Sequence, residues 1–263
     1  MEIIGFFLAI LIGFSIGFFG GGGSILAVPV LAYLFLFDEQ SATAYSLFIV
    51  GITAAFASVK YNSKDLINWK IASIFGVPSL VGVWLVRSFI IPILPEIIYE
   101  SPEFIFTRRM LIFGVFILLM LTASVFMIKN DKHKSKSNSE EINYFLIIFE
   151  GLLVGLLTGF VGAGGGFLIV PAIILLTNLD VKKAIGTSLV IIALKSMVGF
   201  LFGDALLINV DWKFLMLFST VTTFGMFLGI YSTRYVKKDQ LKKAFGYFLI
   251  LISVSMFLKE FFI

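Results

Sequence analysis

Cysteine is absent from the 263 residues, which excludes disulfides, thiolate metal sites and thiol catalysis together. Histidine occurs once, as His133, too few for a His-based zinc or haem centre. Charge is scarce, at 14% of residues, where a soluble domain carries about a quarter. No Gly-x-x-x-x-Gly-Lys-[Ser/Thr] loop is present, so ATP is not the direct energy source. No His-Glu-x-x-His and no close carboxylate pair occur in the apolar stretches, which leaves a membrane-embedded enzyme without its reacting groups. A leader peptide is also unsupported. The chain opens Met1-Glu2 with no basic n-region, so the first apolar stretch is expected to be retained.

What is there is apolar. Hydrophobic residues make up 59% of the chain, and the mean hydropathy is +1.06. The 31 Phe and 24 Gly suit helices packed in lipid, where Gly permits close backbone approach and Phe fills apolar surface. The net charge of +4 does not point to nucleic acid, because the basic residues sit in short tracts between apolar runs. Those runs lie near 41–59, 71–91, 110–128, 142–179, 184–202, 214–233 and 244–262. The first, Ile3 to Phe37, would measure about 52 Å as one helix, too long for an ordinary span. Its middle, Gly20-Gly21-Gly22-Gly23-Ser24, should break it into two pieces joined by a glycine tip.

The same pattern returns 142 residues later. Gly17-Phe18-Phe19-Gly20-Gly21-Gly22-Gly23-Ser24 falls on Gly159-Phe160-Val161-Gly162-Ala163-Gly164-Gly165-Gly166, and Pro29 on Pro171. Asp38 falls on Asp180, Ala42 on Ala184, and Ser46-Leu47 on Ser188-Leu189. At one residue more, Asn68-Trp69-Lys70 meets Asp211-Trp212-Lys213. Glycine and proline in register are not a product of apolar composition. The chain therefore reads as two homologous halves, 1–129 and 142–263, joined by a polar linker at 130–141.

Charge sorts the topology, because short cytoplasmic loops collect Lys and Arg. If each broken run crosses once, the two sides carry nearly equal numbers. If each enters and leaves on the same side, one side holds 14 basic residues and the other 5, with Lys195 inside the membrane. Three further crossings then follow in each half, so the halves are inverted. Five full crossings per half would sort the charges identically, but the pieces after the glycines, about 13 residues, are short for crossing. The expected fold is all-α transmembrane, two inverted repeats, each a Gly-broken re-entrant hairpin followed by three spanning helices. The N-terminus is expected outside a bacterial-type plasma membrane and the 129–141 linker in the cytoplasm. Glu96, Glu100 and Glu103 fall in a Pro-punctuated stretch (Pro92, Pro95, Pro102) expected to run along the outer surface.

Broken helices at membrane depth persist where protein or a water-filled cavity satisfies the backbone, and they mark many secondary transporters. Past each break a helix starts, near Ile25 and near Phe167, with free N–H groups directed at the tip. Two such tips facing each other would form an anion site. Ser24 adds a hydroxyl to the first, where the second has Gly166. The alternative, that glycine only allows tight helix crossing, is preferred for Gly13/Gly17 and Gly155/Gly159.

The doubled break, the Pro five residues on, the acidic corner, and the helix starts Ala42-Thr43-Ala44-Tyr45-Ser46-Leu47 and Ala184-Ile185-Gly186-Thr187-Ser188-Leu189 resemble the TauE/SafE family of sulfite-exporter-like proteins. The resemblance covers nearly the whole chain. It implies movement of sulfur-containing anions such as sulfite, thiosulfate or sulfonates across the plasma membrane. Ala44-Tyr45 departs from the commoner pattern, and Tyr45 would narrow the cavity or hydrogen-bond within it.

Charges inside apolar spans are functional candidates. Lys195, whose repeat partner is Thr53, could supply the positive charge a buried anion needs, or could be paired structurally. Glu150, opposite Leu8, could carry a coupling proton, pair with Lys195 or reach the interface. Ser46, Thr187 and Ser188 could line the cavity or bond backbone. Asp38 and Asp180 read as helix caps, Trp69 and Trp212 as interfacial anchors, and His133 as solvated.

The candidate binding set is thus Gly20, Gly21, Gly22, Gly23, Ser24, Gly162, Ala163, Gly164, Gly165, Gly166, Tyr45, Ser46, Thr187, Ser188 and Lys195, with Glu150 for coupling. The expected partners are a small anion and the bilayer, with no cofactor, metal or nucleic acid; the number of copies is left open. A secondary transporter is the first reading and a passive channel of the same architecture the second.

Overall fold

A computed structural model describes residues 2–101, 104–129, 143–177, 179–232 and 238–261. The polar linker expected at 130–141, His133 and Glu103 lie outside the described residues. In order, the helices are α1 Glu2–Phe19, α2 Gly22–Leu34, α3 Glu39–Asn62, α4 Trp69–Ile93, α5 Arg108–Lys129, α6 Tyr144–Val161, α7 Gly166–Thr177, α8 Val181–Asp204, α9 Trp212–Ser232 and α10 Lys238–Phe261. Six of the segments, in α3, α4, α5, α6, α8 and α9, are long and apolar enough to cross a membrane. Helix is the default in apolar surroundings because it pairs its own backbone groups. The described chain departs from it at one antiparallel hairpin, β1 Ile97–Ser101 with β2 Phe104–Thr107, in the Pro-punctuated stretch expected along the surface.

Helix starts follow local chemistry. The carboxylate of Asp38 accepts from the Ser41 N–H and that of Asp180 from the Lys182 N–H, as the capping reading expected. Asn68 and Asn143 cap α4 and α6 in the same way. Trp69 and Trp212 are the first residues of α4 and α9, 58% and 46% exposed, where an interfacial anchor belongs.

The chain forms two compact units that cut across the sequence halves: residues 1–89 with 139–234, and residues 90–138 with 235–263. The first unit holds the broken element and the next two helices of each half. Its core is a reciprocal exchange. A Cβ at Gly13 would fall on the Thr222 carbonyl and one at Gly17 on the Met226 carbonyl, so α1 lies backbone to backbone along α9, in parallel. Gly155 stands in the same way against Ser79 and Gly159 against Val83, which lays α6 along α4. The partner glycines also correspond: Gly225 meets Ile10, and Gly82 meets Leu152 and Leu156. The small-residue spacing therefore does what its close-approach reading expected.

Equivalent helices α3 and α8 run antiparallel in the centre. Leu47 meets Gly199, Gly51 meets Met197, and Gly186 meets Tyr61 and Leu66, while the Phe48 and Phe200 rings stand 5.0 Å apart. Helix α8 also runs parallel to α4, Ile191 lying by Gly76 and Gly199 by Val83.

The second unit pairs α5 with α10, also antiparallel, Gly114 against Phe261 and Gly246 against Ile128. Arg109 Nε donates to Glu260 Oε1 at 2.7 Å and stacks over Phe113, and the Arg108 N–H donates to the Glu96 carbonyl, closing the hairpin.

Candidate functional site

Both glycine breaks are present as chain reversals. In the first, Gly20 and Gly21 take φ of 70° and 93°, left-handed values that a side chain resists. A tight 3₁₀ turn over Gly22–Leu26 then starts α2, which folds back until the Phe35 ring reaches Gly5. In the second, Gly162 ends α6 with φ 73°, its N–H bonded to the Thr158 carbonyl. Gly164 and Gly165 are left-handed too, and α7 begins at Gly166. Helices α6 and α8 both run parallel to α4, so α7, which joins them, runs back against their direction.

The two tips touch. A Cβ on Gly166 would strike the Gly21 backbone, and the Gly21 Cβ position lies 3.4 Å from the Gly166 Cα. Gly20 to Gly23, Ser24 and Gly162 to Gly166, Ala163 included, are all buried. The backbone N–H groups of Gly164, Gly165, Gly166 and Phe167 precede the first hydrogen bonds of α7, which Leu168 and Ile169 donate to the Gly165 carbonyl. They point where the positive end of α7 begins.

The second tip is ringed by polar groups. Lys195 is 1% exposed and sits about 21 Å along α8. Its Nζ donates to Thr158 Oγ1 at 2.7 Å and lies 2.7 Å from where a Gly165 Cβ would stand. Of three ammonium hydrogens, that hydroxyl takes one, and among the described residues no carboxylate pairs with the group. Ser196 Oγ, fully buried, stands against Gly164 without a partner. Ser24 and Ser46 likewise carry buried hydroxyls that meet no partner.

Other candidates have their polar atoms engaged in the scaffold. Ser188 Oγ donates to the Gly20 carbonyl at 3.1 Å, fixing the first tip, and Thr187 Oγ1 accepts from the Asn68 N–H. Tyr45 donates to the Asn209 carbonyl and accepts from the Asp211 N–H, clamping the loop before α9. Glu150 is partly exposed on the second turn of α6, two turns short of Thr158, and is not brought to Lys195.

Sequence reasoning missed one group. Arg87 and Asp204, both fully buried, form an ion pair at 3.0 Å. The same guanidinium donates through Nε to the Gly159 carbonyl at 2.6 Å and through Nη1 to Thr43 Oγ1 at 3.0 Å. Among the described residues its Nη2 has no partner, and it lies against Gly162. Arg87 was visible as a charge in an apolar run, but 117 positions separate it from Asp204 and no spacing rule joins them.

Two buried cations, Arg87 and Lys195, thus reach the second tip, against one buried carboxylate, Asp204. Counted at formal charge, the buried side chains among the described residues sum to +1, 2 − 1. An anion is the kind of solute that such a set of groups has the chemistry to hold.

Comparison with known proteins gives the family. The family described as "Sulfite exporter TauE/SafE" matches residues 5–256. A "Probable membrane transporter protein" of Xylella fastidiosa strain 9a5c is 30% identical over 259 residues, covering 94% of this chain and 90% of the relative. Similar proteins of that name occur in Haemophilus influenzae (26% identity, 95% of each chain) and Methanocaldococcus jannaschii (28% identity, 73% of this chain and 70% of the relative). No solved structure gives a significant match.

Proposed function

The chain belongs to the sulfite exporter TauE/SafE family of multi-pass membrane transporters, and from that premise we propose that it carries a small sulfur oxyanion or organosulfonate by alternating access around its two glycine tips. The observation that carries this reading is Lys195: a buried lysine with no carboxylate partner among the described residues, held beside touching glycine tips, the second of which opens the N-terminus of α7. An uncompensated cation in an apolar interior is unfavourable until an anion joins it. A sulfonate or sulfite oxygen accepts from ammonium and amide together.

In the proposed architecture the halves are inverted, with each broken element a re-entrant hairpin. The antiparallel pairing of α3 with α8, the reciprocal α1–α9 and α6–α4 contacts and the return of Phe35 to Gly5 all support it. With Arg87 left out because it is buried, the distribution of 14 basic residues against 4 (5 − 1) supports an outside N-terminus and a cytoplasmic 129–141 segment. Ser24, Ser46 and Ser196 would supply further donors to the anion, while Tyr45, Thr187 and Ser188 hold the cavity walls. Tip contact closes the path in this state, and rocking of one half against the other would part it.

The test is a thermal-shift panel on detergent-purified protein with sulfite, thiosulfate, sulfate, sulfoacetate, taurine and simple carboxylates. Stabilisation by one or more sulfur oxyanions is expected, and a response to carboxylates alone would refute the substrate class. Saturable flux with counterflow in proteoliposomes separates a carrier from a channel.

A further inference from the structure

The Arg87–Asp204 pair has no counterpart in the other half: Ile230 stands where the repeat would put Arg87, and Asn62 where it would put Asp204. The scaffold therefore does not require it. A buried ion pair is also a poor structural choice, since apolar residues of the same volume do as well or better. Both residues lie on widened π-type turns, Val86–Ile90 and Phe200–Asp204, a local irregularity that concentrates at working sites.

Resting on the transport reading above, we propose that Asp204 is the proton-binding residue of the cycle and that Arg87 is handed from Asp204 to the transported anion. The guanidinium is placed for it. One nitrogen is held by Asp204 and Thr43, while the other, Nη2, is free against Gly162 on the tip that Lys195 reaches from the far side. Asp204 is buried, yet Leu206, two residues on, is 82% exposed, and the carboxylate stands on the last residue of its span. The charged or titratable groups around it are few. Arg87 faces it from α4, Lys195 lies nine residues earlier on its own helix, and Tyr45 and Asp211 are bonded to each other on the adjoining loop.

Charge balance sets the stoichiometry. At rest the buried groups sum to +1. A proton on Asp204 neutralises its carboxylate and raises the sum to +2, and one monovalent anion between Arg87 and Lys195 returns it to +1. Bound together, proton and anion leave the interior at its resting charge, so each favours the other's binding by the same factor. The protein is then an electroneutral proton–anion cotransporter whose direction follows the two gradients.

The experiment uses purified full-length protein in proteoliposomes with radiolabelled methanesulfonate, a monovalent anion that carries no titratable proton near neutrality. With the membrane potential clamped, an inside-alkaline step of one pH unit is expected to accumulate methanesulfonate about tenfold. In Asp204→Asn the accumulation ratio should fall to about one while exchange of labelled for unlabelled anion persists. Saturable wild-type uptake indifferent to the pH step overturns the coupling alone. Absence of saturable uptake overturns the transport reading and the coupling with it. Should the variant fail to fold, wild-type protein in weakly buffered detergent decides: uptake of about one proton per methanesulfonate bound is expected, and none refutes the proposal.

Discussion

The two glycine tips share a backbone and differ in company. The first is enclosed by Ile185 and Ile192, with Ser15 against Gly23 and Ser188 holding the Gly20 carbonyl. The second meets Lys195, Thr158, Ser196, Thr43 and Arg87. Duplication thus preserved the packing, glycine against backbone in both copies, while the charge collected on one side. The lesson is that a repeat predicts scaffold well and chemistry poorly. Shape had to match in both halves, whereas charge at one of the two tips would serve the proposed anion.

The sharpest way to break this contrast is to remove charge at equivalent positions. Lys195→Met should weaken anion binding by about tenfold to a hundredfold, the worth of a charge-assisted hydrogen bond. Thr53→Met, at the repeat-related site, should stay within about twofold. Titration of the thermal shift with sulfite reads both, and equal losses would erase the asymmetry.

Next come the tips themselves. Gly164→Leu puts a side chain at φ 66°, where its Cβ would stand 2.6 Å from Val50. Gly21→Leu does the same at φ 93°, against Ile192 and the opposing tip. Left-handed strain alone is worth about 1–2 kcal/mol per residue, and both clashes add to it. Uptake by either variant should fall below about a tenth of wild type while the protein remains in the membrane fraction. Normal transport by both would remove the tips from the mechanism.

A smaller effect tests the shared half of the contrast. Gly13→Val and Gly155→Val each drive a side chain into a facing backbone, at Thr222 and at Ser79. Each should destabilise by about 1–3 kcal/mol, the two Tm values falling equally, with anion affinity in the surviving protein little changed. Unequal losses would argue against the two-fold relation. Least of all is expected from Glu150→Gln, because the partly exposed carboxylate is away from Lys195; uptake should move by less than about twofold.

Much of the scaffold could be read before any coordinates. Glycine and proline in register exposed the repeat, and the four-residue spacing of Gly13/Gly17 and Gly155/Gly159 announced close approach because only a missing Cβ allows it. Lys195 stood out as an expensive charge, and it does sit at a tip. Less legible was how hydroxyls divide their bonds. Tyr45, Thr187 and Ser188 stand in the same motif as Ser46, yet theirs are engaged and Ser46's is not, since the deciding partners lie at 209–211, 68 and 20. Asp204 escaped notice for the same reason: its meaning comes from Arg87, on another helix. Compact units that mix the halves are equally invisible to a linear repeat, because packing exchanges partners after the chain has crossed back.

That exchange shapes how the protein is made. The glycine face of α1 closes on Thr222 and Met226, roughly two hundred positions downstream. During synthesis the first segment enters the bilayer long before the ribosome reaches its partner. Its notched surface must meanwhile be covered by lipid or by a chaperone. Assembly of this unit is consequently a late event, slow as long-range closure is slow. A chain released early, after its first half, would be left with an open groove where α9 belongs.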